Sequence, residues 1–123
     1  MNTSFVARLR AGIDRISLRH VGLLALATSA LTAGLITYGA WVRVSGSGLG
    51  CPDWPLCNGG VLPGGGRSAV IEYGHRLFAG LTMILVVVTA FFGFQRRHEA
   101  PRPVGLLIVA LILIFGQAAL GGV

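Results

Sequence analysis

The sequence contains few charged residues. Aspartate, glutamate, lysine and arginine together make up 11% of the 123 residues, whereas they make up about a quarter of an average soluble domain. Apolar residues make up 54%. A chain with so little charge is not expected to fold as a soluble domain, and its composition indicates that lipid surrounds much of it.

Lysine is absent, so all ten basic residues are arginines. A phosphate-binding loop needs a lysine after its glycines, and residues 64–68 have an arginine there. Glycines 46, 48 and 50 do not lie between a strand and a helix, as a dinucleotide-binding motif requires. The net charge of +6 raises the question of nucleic acid, but the arginines flank apolar runs and no zinc spacing or basic-aromatic pattern accompanies them. No nucleic-acid partner is expected.

Three apolar runs occupy residues 21–42, 70–94 and 104–123. Each is long enough to cross the hydrocarbon core, which takes about 20 helical residues. The first run exceeds the apolar core of a cleaved signal peptide, roughly 7–15 residues, so we interpret it as an uncleaved anchor. The fold class predicted is an all-α membrane protein with three transmembrane helices. The third run reaches the last residue, which we interpret as a truncation.

The arginines predict the orientation in the cell (inner) membrane. Most of them lie in the N-terminal tail, residues 1–20, and in the short loop 95–103, whereas the longer loop 43–69 has two. Cytoplasmic segments are enriched in basic residues. The N-terminus and loop 95–103 are therefore expected in the cytoplasm, and loop 43–69 on the external side.

The basic tail also has an apolar pattern. Leu9, Ile13 and Ile16 fall on one helical face, and arginines fall opposite. This pattern favours a short helix lying on the inner leaflet. An untethered basic tail explains the same residues equally well.

The only cysteines, Cys51 and Cys57, lie in the external loop. Disulfides persist on the oxidising side of a membrane. Two thiols with five residues between them and no histidine nearby fit a zinc site poorly. A disulfide that orders the loop and a redox-active pair both remain compatible with the sequence.

A cluster of ionisable residues, Glu72, His75 and Arg76, interrupts the start of the second run. Spacings of three and four place them on one helical face, and charge within a membrane usually marks a functional site. A neutral imidazole can bind haem iron, a carboxylate one turn away can accept a proton, and a guanidinium can pair with a haem propionate. An interfacial Glu–Arg pair beside a histidine that reaches the lipid headgroups explains the same spacing.

Three other polar residues near the runs are not expected to belong to the site. Gln117 in the third run is expected to form an interhelical hydrogen bond rather than a ligand contact. His20 and His98 flank spans on the predicted cytoplasmic side, and we interpret both as surface residues.

Three segments occur in a characteristic order. Residues 39–57 read GAWVRVSGSGLGCPDWPLC, residues 72–76 read EYGHR, and residues 116–123 read GQAALGGV. In this order they resemble the first-helix exit and cysteine loop, the second-helix E-x-x-H-R motif and the end of the third helix of haem A synthases. The cysteine loop is the most specific of the three segments.

The resemblance implies an oxidoreductase that converts haem O to haem A for cytochrome oxidase, by oxidising a porphyrin methyl group to a formyl group. It implies eight helices in two four-helix halves, with the substrate haem in one half and haem b in the other, each between paired histidines. His75 would then be an axial ligand of the substrate iron, and Arg76, from its chemistry rather than from the resemblance, would bind a propionate of that haem. Glu72 would act in methyl oxidation, and Cys51–Cys57 would be an external disulfide. Membrane lipids, haem O synthase and a second copy of the chain are the candidate partners.

The chain departs from that family in extent, because it stops before a fourth helix. His75 alone gives at best a five-coordinate haem, so we expect that the 123 residues by themselves do not make haem A. The alternatives are a small non-catalytic haem-binding membrane protein, a structural membrane subunit, and a membrane thiol–disulfide oxidoreductase. The last usually has a C-x-x-C motif or a second cysteine pair, and this sequence has neither.

Overall fold

A computed structural model describes residues 12, 16–101 and 103–121. Three helices organise this part of the chain: α1 (Leu18–Val44), α2 (Arg67–Gln95) and α3 (Val104–Gly121). All three are long and apolar enough to cross a membrane. Within the described residues the only β pairing is a single bridge between Cys57 and Gly60. The predicted all-α class with three membrane-spanning helices is confirmed.

The first two helices are longer than the apolar runs that predicted them. α1 and α2 each begin three residues earlier than their runs and continue a little beyond them. Lipid requires every backbone group to be paired, and the same helical pairing simply continues into the flanking polar residues. The helix predicted in the basic tail lies mostly outside the described residues, because only residues 12 and 16–20 of the tail are described. The last two residues of the third run, 122–123, also lie outside them.

α2 is the middle helix of the three. It packs against α1 on one side and α3 on the other, and the described parts of α1 and α3 do not pack together. Hydroxyl groups join the first pair, since the Thr28 and Thr89 oxygens lie 3.2 Å apart. Gly93 makes room for Leu107 in the second pair. α2 is thus the helix that holds α1 and α3 together in the described part of the chain.

The segment between α1 and α2, residues 45–66, is named the external loop after its predicted orientation, and it folds back over the start of α2. Gly50 touches the backbone there, because a Cβ at this position would lie 2.5 Å from the Ser68 carbonyl carbon. Cys51 and Cys57 form a disulfide that packs against Ala69. Both cysteines are buried, Cys57 completely, and burial of the sulfur atoms disfavours exchange with another protein.

Candidate functional site

A cavity of about 440 Å³ lies where the external loop meets the three helices. Its wall contains Glu72, His75 and Arg76, the three residues that the sequence placed on one face of α2. The facing residues come from the end of α1, the glycines of the external loop and the last turn of α3. The structure thus brings the predicted ionisable cluster together around one space among the helices.

The His75 imidazole lies against a glycine of the facing helix. A Cβ at Gly39 would come within 2.9 Å of the imidazole Cε1 atom, so only glycine leaves room for the ring in this position. The Tyr38 ring meets the imidazole edge-on, with 5.6 Å between the ring centres. The imidazole Nδ1 atom is buried and has no hydrogen-bond partner among the described residues. Packing against α1, rather than a hydrogen bond, therefore orients the ring.

Tyr38 is a site residue that sequence reasoning missed. Its hydroxyl donates a hydrogen bond of 2.9 Å to the Ile71 carbonyl oxygen. Gly74 provides the space, because a Cβ there would lie 2.6 Å from the hydroxyl oxygen. A tyrosine inside an apolar run was the available signal, since a phenol within a membrane needs a partner for its hydroxyl group.

The Glu72 carboxylate is buried, with 7% of the residue exposed. Its Oε1 atom accepts a hydrogen bond of 2.5 Å from Arg76, and its Oε2 atom accepts one of 2.9 Å from the Cys51 N–H. Burying a carboxylate is costly unless it is paired and hydrogen-bonded. Both oxygens meet that condition here, so the group is fixed at the cavity wall.

The Arg76 guanidinium binds the external loop as well as Glu72. Its Nη1 group donates to the carbonyl oxygens of Asp53 at 2.5 Å and Leu56 at 2.8 Å. Its Nη2 group donates to the Cys51 carbonyl oxygen at 3.0 Å. Both terminal nitrogens thus already bind protein oxygens, and pairing of Arg76 with a haem propionate stays a prediction.

Asp53 organises the far side of the external loop, a role that the sequence did not suggest. Its carboxylate accepts hydrogen bonds from the Gly59 N–H at 2.8 Å and the Asn58 N–H at 2.6 Å. Asn58 and Gly59 both have positive φ angles, of 55° and 75°. The Gly59 hydrogen bond, with smaller contributions from Asn58 and the Arg76 charge, holds the pKa of Asp53 below its ordinary value.

The remaining polar candidates lie away from this cavity. His20 is exposed at the start of α1, where its Nδ1 atom is 2.7 Å from the Ser17 hydroxyl oxygen, and His98 is exposed after α2. Gln117 faces a separate, smaller space beside Trp54, on the α3 side of α2. The prediction that both histidines are surface residues is confirmed, whereas an interhelical hydrogen bond of Gln117 stays a prediction.

Comparison with known proteins supports the resemblance. Residues 22–69, which cover most of α1 and the external loop, match the family model described as cytochrome oxidase assembly protein. The haem A synthase of Shouchella clausii is 37% identical over 106 residues, covering 83% of this chain and 35% of the relative. That of Bacillus licheniformis is 34% identical, covering 68% and 28%. That of Bacillus pumilus is 34% identical, covering 80% and 33%.

No solved structure matches the chain significantly. The chain spans about a third of the length of the curated relatives that it matches. The matched residues include the α1 exit, the cysteine loop and most of the described helices. On these grounds the chain belongs to the haem A synthase family.

Proposed function

We propose that this chain forms the substrate-haem site of a haem A synthase, which oxidises a methyl group of haem O to the formyl group of haem A. The observation that carries the proposal is the presence of Glu72 and His75 on the wall of one cavity. The relatives named haem A synthase support the same reaction. When bound, the haem supplies the redox chemistry, and the chain supplies its binding site and a carboxylate.

The residues present fit a haem. The cavity, about 440 Å³, falls within the roughly 300–1,000 Å³ typical of ligand sites. His75 is held by packing alone, and its buried Nδ1 atom has no partner among the described residues. A neutral imidazole is a normal axial ligand of haem iron. His75 would hold the iron, and Gly39 would fix the angle at which the imidazole faces the cavity.

Glu72 would provide the acid–base group of the site. As a carboxylate it is an acceptor only, and Arg76 and the Cys51 N–H hold both of its oxygens. A carboxylate fixed in this way can stabilise positive charge that develops beside it or accept a proton from the reacting group. Its fixed orientation avoids reorganisation during the reaction, which is the main benefit of a preorganised electrostatic group.

The number of imidazoles on the cavity limits what these residues do alone. Among the described residues, His75 is the only histidine that contributes to the cavity wall. A second histidine ligand, which the resemblance implies, would therefore come from outside this set. We propose that the 123 residues alone would bind haem in a five-coordinate state and do not produce haem A. We also propose haem O synthase and a second copy of the chain as partners to test.

Haem titration tests this function. The chain is purified in detergent and titrated with ferric haem, and binding is followed by the shift of the Soret band. His75→Ala is expected to weaken binding at least about tenfold, because the iron loses its protein ligand. His98→Ala, at the opposite end of the bundle, is the matched control. Equal affinity of His75→Ala and the unsubstituted chain would remove the basis of the proposal.

We also propose that the external loop faces away from the cytoplasm in the inner membrane, because arginines concentrate at the other end of the helices. Alkaline phosphatase is active only after export. A fusion after residue 60 is therefore expected to be active and a fusion after residue 99 inactive. The reverse pattern of activity would refute the orientation.

A further inference from the structure

The disulfide closes a small ring, residues 51–57, and one arginine binds this ring at three points. The three carbonyl oxygens that accept hydrogen bonds from Arg76 belong to Cys51, Asp53 and Leu56, all within the ring. None of these contacts involves His75, the proposed iron ligand. They tie an external segment to the middle helix beside the cavity.

The same ring also holds Glu72. The Cys51 N–H donates to the Glu72 Oε2 atom, and the Cys51 carbonyl oxygen accepts from Arg76. Arg76 in turn donates to the Glu72 Oε1 atom at 2.5 Å. The carboxylate, the guanidinium and the Cys51 residue therefore form a closed set of hydrogen bonds, in which each group holds the other two.

Arg76 and Glu72 form an ion pair that is largely buried. The side chains of Arg76 and Glu72 are only 19% and 9% exposed. A salt bridge in such a place is worth little unless further hydrogen bonds satisfy its remaining donors and acceptors. A guanidinium can do so because its planar fork presents several N–H groups at fixed angles, whereas a lysine ammonium is a single charged point.

We propose that Arg76 is a positioning residue, which fixes the disulfide ring against α2 beside the cavity and through it the orientation of the Glu72 carboxylate. The consequence for catalysis depends on the proposed function of Glu72, whereas the mechanical link does not. Coupling of this kind is reciprocal. Loss of Arg76 loosens the ring, and opening of the disulfide releases the carboxylate.

Protection of the disulfide measures the link without haem. The chain is held in lipid nanodiscs and treated with a water-soluble phosphine, and free thiols are followed by maleimide labelling. Both cysteines are buried against the start of α2, so we expect reduction to need the ring to leave α2. Arg76→Gln is expected to accelerate reduction at least about tenfold, because several charge-assisted hydrogen bonds are lost.

A lysine variant separates the geometry of the Arg76 guanidinium from its positive charge, and a second arginine provides the control. Arg76→Lys keeps the charge beside Glu72, but its three N–H groups share one nitrogen and cannot reach all four oxygens that the two Arg76 nitrogens bind. It is therefore expected to accelerate reduction nearly as much as Arg76→Gln. Arg43→Gln is the matched control, since Arg43 also lies on the cavity wall and the described residues show no hydrogen bond of its side chain. Full protection in Arg76→Lys, or unchanged protection in Arg76→Gln, would overturn the proposal. Circular dichroism confirms that each variant retains its helices.

Infrared spectroscopy reads the carboxylate directly. The chain has two glutamates, Glu72 and Glu99, so ¹³C-glutamate in a Glu99→Gln background labels Glu72 alone. The carboxylate stretching band is expected to shift when the phosphine opens the disulfide, and to shift in Arg76→Gln with the disulfide intact. A band that moves in neither case contradicts the coupling. Failure of haem binding together with these shifts would refute the proposed function and leave the positioning role intact.

Discussion

The His75 imidazole and the Gly39 backbone are in direct contact, and the contact joins the candidate iron ligand to the facing helix. A methyl group at position 39 would lie 2.9 Å from the imidazole Cε1 atom, which is closer than two carbon atoms pack without strain. The ring has no hydrogen bond at its buried Nδ1 atom within the described residues. Position 39 therefore controls where the imidazole points.

Gly39→Ala is expected to rotate the imidazole away from its present direction and to weaken haem binding about tenfold, since small misplacement of a ligand is costly. Gly34→Ala is the control on the same helix, because a Cβ there meets nothing within 4 Å. Alanine also favours the helix by up to about 1 kcal/mol at either position. Soret titration of both variants checks the prediction, and equal affinities would contradict it.

Tyr38→Phe is expected to destabilise the pairing of α1 with α2. The phenol donates to the Ile71 carbonyl oxygen at 2.9 Å, and loss of such a bond typically costs about 0.5–1.5 kcal/mol. Unfolding by a denaturing detergent, followed by circular dichroism, measures the change in the free energy of unfolding. A free energy of unfolding unchanged in Tyr38→Phe would contradict this prediction.

Gly74→Ala tests the same contact from the other side. A Cβ at position 74 would lie 2.6 Å from the Tyr38 hydroxyl oxygen, so alanine there is expected to destabilise the helix pair. In the double variant with Tyr38→Phe the obstructing oxygen is gone. The destabilisation of the double variant should therefore be smaller than the sum of the destabilisations of the two single variants. Gly80→Ala, where a Cβ meets nothing within 4 Å, is the control. Strict additivity would show that the two positions do not interact.

The external loop is expected to loosen in acid. The Gly59 N–H and its neighbours hold the pKa of Asp53 below its ordinary value, so the carboxylate stabilises the folded loop fully above the unfolded pKa of about 3.9. This stabilisation is lost as the pH falls through the lower pKa of the folded state. Trp54 fluorescence in a Trp41→Phe background reports on the loop. Asp53→Asn should remove the transition, and its persistence in that variant would assign it to another group.

The hydroxyl pair in the middle of the bundle has a modest expected effect. The Thr28 and Thr89 oxygens lie 3.2 Å apart, and interhelical hydrogen bonds in membranes average about 0.6 kcal/mol. Thr89→Val is expected to lower the free energy of unfolding by this amount. Thr37→Val serves as the control, because the exposed Thr37 hydroxyl binds only the Ala33 carbonyl oxygen of its own helix. A loss several times larger in Thr89→Val would indicate that the packing of the helices has changed.

Hydropathy and spacing predicted the parts of the fold that follow local rules. A run such as residues 21–42 identifies a spanning helix, because a helix pairs all backbone N–H and C=O groups of a single segment within lipid. Spacings of three and four residues likewise placed Glu72, His75 and Arg76 on one face of α2.

The contacts between helices did not follow from the sequence. α1 is apolar around its whole circumference, so its pattern does not say which side faces α2. Gly39 and Tyr38 could not be assigned to His75 and Ile71 for this reason. The carbonyl partners of Arg76 depend on the path of the external loop, and an irregular segment has no periodicity from which that path can be derived.

The close approach of Gly50 to Ser68 limits the sequences that this fold accepts. At position 50 an added carbon would press against peptide atoms, 2.5 Å from the Ser68 carbonyl carbon, and peptide atoms cannot turn aside as a side chain can. At Gly48, two residues earlier, an added carbon meets nothing within 4 Å. In a saturation library, position 48 should therefore tolerate many amino acids, whereas position 50 should return glycine almost alone.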